Sequence, residues 1–243
     1  MCRPDYFDIE YEINPWMHLE NQVDQEKAMI QWQTLYDAFV DNGVIVDLIR
    51  QVKGLPDMTF TANGGIAYQN KFIVSRHRYK ERTHEEAYFE KWFQEQGFET
   101  YHIKHFQGGE GDALFYKGTL YMGYGFRSDR ESHDEVRKIL GVKTVSLCLI
   151  NPYFYDFDTA FSPLGEKALL YYPDAFSEES RNLLENIPDA IPFSKLEAES
   201  FVGNSILVGD TLFVGYKDNI LVEMGEFKKS GGGIKCLTLY LDH

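Results

Sequence analysis

The chain has 243 residues, 44% of them hydrophobic and 15% aromatic, which suffices for a real core in one large domain or two small ones. Its net charge of −14 comes without any long basic run, which argues against a nucleic-acid partner and leaves room only for a local basic pocket for a small anion. No apolar run approaches the ~18 residues that cross a bilayer, and Met1-Cys2-Arg3-Pro4-Asp5-Tyr6-Phe7 has no apolar signal segment, so a cytoplasmic protein without a membrane partner is expected.

In chain order, Asp24 to Asn42 carries Met29, Trp32, Leu35, Tyr36 and Phe39 at helical spacing, with Gly43 as its stop. Val44 to Ile49 reads as a strand. Thr83 with Glu86 predicts a capping box before Tyr88, Phe89, Trp92 and Phe93, and Ser132 with Glu135 predicts another before Val136, Ile139 and Leu140. Val142 to Leu149 is the next strand, and Ser177 opens a helix containing Leu183 and Leu184. Cys2, Cys148 and Cys236 are an odd number in no zinc-like spacing, so neither a disulfide framework nor a structural metal is expected, and no cofactor is called for.

Between these segments a polar turn followed by a hairpin recurs. The turns are Asn63-Gly64-Gly65, Gly111-Asp112, Asp158-Thr159 and Asn204-Ser205, and Asn14-Pro15-Trp16 reads as an earlier member. The hairpins are Ile66 to Val74, Ala113 to Met122, Ala160 to Tyr171 and Ile206 to Val214. Turn positions 14, 63, 112, 158 and 204 are separated by steps of 49, 49, 46 and 46, a period of stacked or radially repeated units. Units arranged round an axis bring equivalent turns to one centre. Asn14, Asp57, Asn63, Glu110, Asp112, Asp158, Asn204 and Cys236 are then expected to converge. The competing explanation is that Asn, Asp and Gly simply favour turns.

Gly231-Gly232-Gly233-Ile234-Lys235-Cys236-Leu237-Thr238-Leu239 reads as a flexible, open glycine approach to a thiol at the mouth of a strand. Taken alone, Cys236 is as well explained as a small buried hydrophobe.

Several stretches carry a resemblance: Ile13 to Met17, Leu55 to Asn63, Gly109 to Leu114, Gly123 to Arg127, Asp158 to Leu164 and the Gly231 to Leu239 run. In this order they resemble the amidinotransferase and arginine deiminase superfamily, the pentein fold, in its dimethylarginine dimethylaminohydrolase and arginine dihydrolase branch. The resemblance implies a single α/β domain over residues 1–243, a five-bladed pseudo-symmetric propeller round a polar pocket. It implies a cysteine-dependent hydrolase, or amidino-group transferase, acting on arginine or a derivative such as dimethylarginine, with a small guanidino substrate as partner; a homo-oligomer is left open.

On this resemblance Cys236 is the nucleophile, Glu110 orients the acid-base group, Asp57, Asn63 and Asp158 line the guanidinium with Asn14 in the same pocket, and Arg127 clamps the substrate carboxylate. These roles suit a planar cation that needs carboxylates and amides at its edges and a soft nucleophile at its carbon. The residues also have plainer explanations: Asp57 as a solvated turn, Asn63 as a hairpin corner, Arg127 as a surface arginine before a helix.

Two departures stand out. The family carries His-x-Asp where this chain has Asp156-Phe157-Asp158, so Asp156 stands in the histidine's position. Only 32 residues separate Asn204 from Cys236, which leaves the last unit a one-turn helix or none. His77, His84, His102 and His105 are expected at the surface. The alternative function is therefore a catalytically impaired guanidino-binding or regulatory protein. A ribosome-associated factor of similar fold would not need Cys236 and its acidic neighbours.

Overall fold

A computed structural model describes residues 1–215 and 220–241, with backbone only at Ile220 and Leu221. Gln25–Asp41 forms α1. The side chain of Asp24 accepts from the Lys27 N–H at 3.0 Å and caps its start. Of the predicted apolar stripe Trp32, Leu35 and Phe39 are buried, joined by Ala28, and pack against Phe213, Val222 and Phe227, while Met29 and Tyr36 are half-buried.

Among the described residues the strands form four three-stranded sheets of one pattern. The first joins β1 (Gly65–Tyr68) and β2 (Lys71–Val74) as a hairpin, crosses through α2 (Glu85–Glu95), and adds β3 (Glu99–Tyr101) parallel to β2. The second repeats this with β4 (Ala113–Tyr116), β5 (Thr119–Tyr124), α3 (Ser132–Leu140) and β6 (Lys143–Cys148). The third does so with β7 (Phe161–Leu164), β8 (Ala168–Tyr171), α4 (Glu178–Glu185) and β9 (Ala190–Pro192), followed by α5 (Lys195–Glu199). The fourth pairs β10 (Ile206–Val208) with β11 (Thr211–Val214), then β12 (Ile220–Leu221) parallel to β11, before the one-turn helix α6 (Gly225–Lys228). Residues 216–219, where a fourth crossover helix would be sought, lie outside the described residues. All four hairpins stand where the repeat put them, in a mixed α/β fold.

Three local expectations are corrected. Residues 44–48 form no strand; the extended pairing shrinks to one parallel bridge between Cys2 and Ile49. Neither capping box forms, because its glutamate reaches across to another segment. Glu86 accepts the His77 N–H at 2.8 Å, and Glu135 accepts the Lys104 N–H at 2.8 Å. Ser132 instead donates to Asp129 O at 2.8 Å. The capping box that does form is Ser194 with Glu197. Cys236, finally, lies in a turn spanning 234–237 and not at the mouth of a strand.

Candidate active site

Each hairpin is preceded by a single 3₁₀ turn: Thr61–Gly64, Gly109–Asp112, Phe157–Thr159 and Val202–Asn204. Such a turn points several polar groups of one segment into a small volume. The turns are linked in sequence. Asn63 Nδ2 donates to Gly108 O at 2.9 Å, and Phe157 N donates to Asp112 Oδ1 at 3.0 Å. Asn204 Nδ2 donates to Asp158 O at 3.1 Å, and Cys236 N donates to Asn204 Oδ1 at 3.2 Å. Ala62 N donates to Cys236 O at 3.1 Å, returning the circuit to the first turn. Asn63, Asp112, Asp158, Asn204 and Cys236 are thus gathered at one buried centre, which favours convergence over the bare turn preference of Asn, Asp and Gly.

The glycine run is packed, not open. Gly231 has φ +76, and a Cβ there would stand 2.7 Å from the Tyr155 hydroxyl. A Cβ on Gly232 would meet Phe60 at 2.4 Å, and one on Gly233 would meet Asn204 Oδ1 at 2.8 Å. Close approach is what demands glycine here, and it holds Cys236 rigidly.

Cys236 is 3% exposed. Its Sγ faces Asp158 Oδ2 at 3.3 Å and Oδ1 at 3.5 Å, and accepts from Asn204 Nδ2 at 3.2 Å. Burial pushes the thiol well above its ordinary range, and the charges of Asp158 and Asp156 push it further. At rest it is a neutral thiol whose S–H donates to the Asp158 carboxylate. Burial raises Asp158 as well, then Asp156 adds to it, with Lys235 pulling the other way. Asp112 is lifted to about 7 by burial and by Asp156, against hydrogen bonds from Ser128 and Phe157. Burial also raises Asp156, opposed by Arg127 and Arg82.

Facing these carboxylates are two buried cations: Arg82, which the sequence did not single out, and Arg127, which the resemblance assigned to the substrate carboxylate. Arg82 is 1% exposed and forks onto Glu85, Nε to Oε1 at 2.9 Å and Nη2 to Oε2 at 2.8 Å. Its Nη1 donates to Asn63 Oδ1 at 2.9 Å. Arg127 is no surface arginine: it is buried, stacked 4.5 Å from the Tyr155 ring centroid, with Nε 3.1 Å from Asp156 Oδ1. That contact is an ion pair without hydrogen-bond alignment, since both atoms lack a hydrogen-bond partner. Burial would lower Arg127, but Asp156, Tyr155 and Asp57 together outweigh it and hold the guanidinium charged.

Asp57 is likewise buried and not a solvated turn; its Oδ2 accepts from the Tyr11 hydroxyl at 3.0 Å while Oδ1 has no partner. Asn63 belongs to a 3₁₀ turn, not a hairpin corner. Glu110 Oε2 accepts from Lys235 Nζ at 2.7 Å and from Tyr240 N at 3.1 Å. Asn14 is half-buried and latches the rim: its Nδ2 donates to the Tyr155 hydroxyl and to Ser230 O, both at 3.1 Å.

His84, His102 and His105 are exposed as expected, but His77 is 6% exposed and feels the charges of Arg82 and Arg127. Arg82 and Glu85, three residues apart, were the one buried pair with a signal in local spacing. Lys235 and Glu110 pair across 125 residues and left none.

Unpartnered buried polar atoms therefore collect here: Asp57 Oδ1, Asp156 Oδ1, Arg127 Nε and His77 Nε2. Native interiors pair such atoms, so a cluster of unpaired acceptors and donors marks a place for a polar, charged ligand. Among the described residues no group of three His, Cys, Asp or Glu could hold a metal ion, and no helix is long and apolar enough to cross a membrane. A cavity of about 720 Å³ lies elsewhere, between 43–49, Trp92 and Leu239. Cys236, Asp158 and Asp57 are not among its lining residues.

Comparison with known proteins agrees with this geometry. The family model described as N,N dimethylarginine dimethylhydrolase, eukaryotic, matches residues 3–216. The bifunctional arginine dihydrolase/ornithine cyclodeaminase of Synechocystis sp. is 41% identical over 98% of this chain, which spans 37% of that relative's length. The N(G),N(G)-dimethylarginine dimethylaminohydrolase of Mycobacterium tuberculosis is 35% identical over 98% of this chain and 84% of its own. The crystal structure of the N-terminal domain of a cyanobacterial arginine dihydrolase bound to substrate superimposes with a TM-score of 0.94 at 38% identity, covering 100% of this chain and 97% of that one. Turn circuit, buried thiol and relatives at 41% and 35% identity agree, and the chain belongs to the dimethylarginine dimethylhydrolase family.

Proposed function

We propose that this protein is a hydrolase of carbon–nitrogen bonds in linear amidines, acting on the guanidino group of arginine or a close derivative such as dimethylarginine. The observation that carries this reading is Cys236 Sγ, 3.3 Å from Asp158 Oδ2 inside a cluster of carboxylates short of partners. The relatives' activities on arginine and dimethylarginine point the same way.

In this reading Asp57, Asp158 and Asn63 take the edges of the guanidinium. Binding the cation reverses the field at the thiol and draws it toward thiolate. Sγ attacks the guanidinium carbon. The carbon–nitrogen bond breaks, the amine leaves with a proton, and a thiouronium on Cys236 remains. Water then attacks that carbon, the carbon–sulfur bond breaks, and the thiol is restored; an amine in place of water makes the same steps a transfer. Glu110, with Oε2 taken by Lys235 and Tyr240 N, acts by positioning, and Asn14 latches the rim. The same reading takes residues 1–243 as one domain, with the four sheets and the Cys236 segment as five units round an axis. The circuit of hydrogen bonds through the turns supports it.

A second reading has its own observation. Asp156 stands where the family's histidine is expected and faces Arg127. Aspartate starts far below the histidine range, and Arg127 and Arg82 oppose the rise that burial gives Asp156, so it makes a poorer proton donor than histidine at neutral pH. The protein would then bind a guanidino compound and turn it over slowly or not at all. Release of ammonia or dimethylamine from arginine, dimethylarginine and agmatine separates the two readings. Release that disappears in Cys236→Ala supports the hydrolase. Calorimetric binding without release supports the binder, and neither result overturns both.

A further inference from the structure

One polar side chain of each 3₁₀ turn reaches a neighbouring segment, and two of the four meet the sulfur. Asn63 and Asp112 bond backbone groups of Gly108 and Phe157. Asp158 and Asn204 meet Cys236 Sγ with opposite chemistry, a carboxylate oxygen at 3.3 Å and an amide nitrogen at 3.2 Å. Asp158 accepts the thiol hydrogen, whereas Asn204 donates to the sulfur.

Backbone groups decide which end of the Asn204 amide faces Sγ. The Cys236 N–H needs an acceptor and finds Oδ1 at 3.2 Å; Asp158 O needs a donor and finds Nδ2 at 3.1 Å. Exchanging the two ends would set donor against donor and acceptor against acceptor. One amide hydrogen therefore goes to Asp158 O and the other to Sγ. The amide has little room to turn. Lys235 N donates to Asn204 O at 3.3 Å, and a Cβ on Gly233 would stand 2.8 Å from Asn204 Oδ1. The turn that carries Asn204 is fixed as well: a Cβ on Gly203 would fall 2.2 Å from Thr159 O, and buried Phe201 ahead of it is held at φ 61.

We propose that Asn204 is a catalytic residue of the guanidino reaction, the side-chain donor that stabilises Cys236 as a thiolate. The proposal rests on the guanidino reading above. A neutral thiol is a weak acceptor, and a hydrogen bond to a charged acceptor is much stronger. The Asn204 N–H therefore contributes little at rest and most when the sulfur carries charge. That happens twice, as Sγ ionises before attack and again as the carbon–sulfur bond breaks; in the thiouronium between them the sulfur is a weak acceptor again. A donor already in place when the charge develops lowers the barrier without reorganising. Burial, Asp158 and Asp156 all raise the thiol, and the Gly233 N–H opposes them. Asn204 adds to that opposition a group that substitution can remove.

Asn204→Ala and Asn204→Asp test this, with Ser205→Ala as the control that removes a hydroxyl bond to Val202 O, 2.6 Å long, in the same turn. The readout is the rate of Cys236 alkylation by iodoacetamide at about pH 8, separated from Cys2 and Cys148 by peptide mapping. Asn204→Ala should slow it about threefold to tenfold, since one charge-assisted bond is about a tenfold change in thiolate population, partly offset by higher intrinsic nucleophilicity. Asn204→Asp, which sets a carboxylate against the sulfur, should slow it further. Loosened packing would act in the opposite sense, because Cys236 is 3% exposed and easier access speeds alkylation. In ammonia release from arginine, Asn204→Ala should lower kcat about tenfold and leave KM unchanged, because its amide hydrogens serve the sulfur and Asp158 O. Ser205→Ala should keep the parental alkylation rate. Faster or unchanged alkylation in Asn204→Ala overturns the proposal and leaves the guanidino reading standing. Ammonia release undiminished in Cys236→Ala overturns both.

Discussion

The acidic and basic sides of the buried centre are built on opposite plans. On the basic side, Arg82 and Glu85 neutralise each other through two aligned hydrogen bonds, and Arg127 stacks on Tyr155. On the acidic side, Asp158 and Asp156 act on Cys236 with Asp112 acting on Asp158, and each carboxyl is raised by burial before any neighbour acts. The basic side is a finished structural pair, with Arg127 held against Asp156. The acidic side is poorly satisfied without a cation. The difference is that one side is carboxyls raised by burial, while the other is fixed by aligned ion pairs.

The largest test of that contrast is Asp156→His. It puts a group of ordinary pKa near ~6.5 beside the thiol. Guanidino hydrolysis should rise by at least about 10², the low end of what a positioned acid-base supplies. The same change takes the carboxylate away from Arg127, so thermal stability should fall, as when one partner of a buried pair is removed. Gain in rate with loss in melting temperature is the joint signature; a parent rate already at about 1–10 s⁻¹ would show that another residue transfers the proton.

Next in size is Asp57→Ala. It removes Oδ1, an acceptor with no partner in the protein, and Oδ2, which holds Tyr11. Charge-assisted bonds contribute about 1.5–3 kcal/mol, so arginine affinity measured by calorimetry should drop roughly tenfold to a hundredfold. Unchanged affinity would move the guanidinium away from Asp57.

A third test is stability against pH. Asp112 goes from its usual 3.8 to about 7 on folding. A raised folded value means the folded state holds the extra proton, so this contribution is full below about 3.8 and is lost as pH climbs to about 7. Asp112→Asn should flatten the decline of stability over that window, by up to about 1.4 kcal/mol per pH unit. Denaturant melts at pH 4 to 7 with parallel slopes for the two proteins would contradict the raised value.

Much of the frame was legible because turns and hairpins are local. Asn63-Gly64, Gly111-Asp112, Asp158 and Asn204 each precede an alternating run, and the period between them carried the architecture. What stayed hidden depends on distant partners. Glu86 and Glu135 have capping-box spacing, yet their carboxylates serve His77 N and Lys104 N on other segments. The glycines at 231–233 looked like freedom, whereas Tyr155, Phe60 and Asn204 stand where any side chain would go. His77 flanks a helix start, a pattern usual at the surface, and only the Arg76–Gln107 pairing turns it inward.

The central claim is that Cys236 attacks the guanidinium carbon while Asp156 returns protons slowly. Intact-mass spectrometry of the protein, acid-quenched at intervals after mixing with arginine or dimethylarginine, tests it most directly. The account predicts a gain equal to the ligand less its leaving amine, mapped by peptide digestion to Cys236, accumulating in the parent chain and shortened in lifetime by Asp156→His. Turnover that survives in Cys236→Ser, with no mass gain at Cys236 at any time, would contradict it.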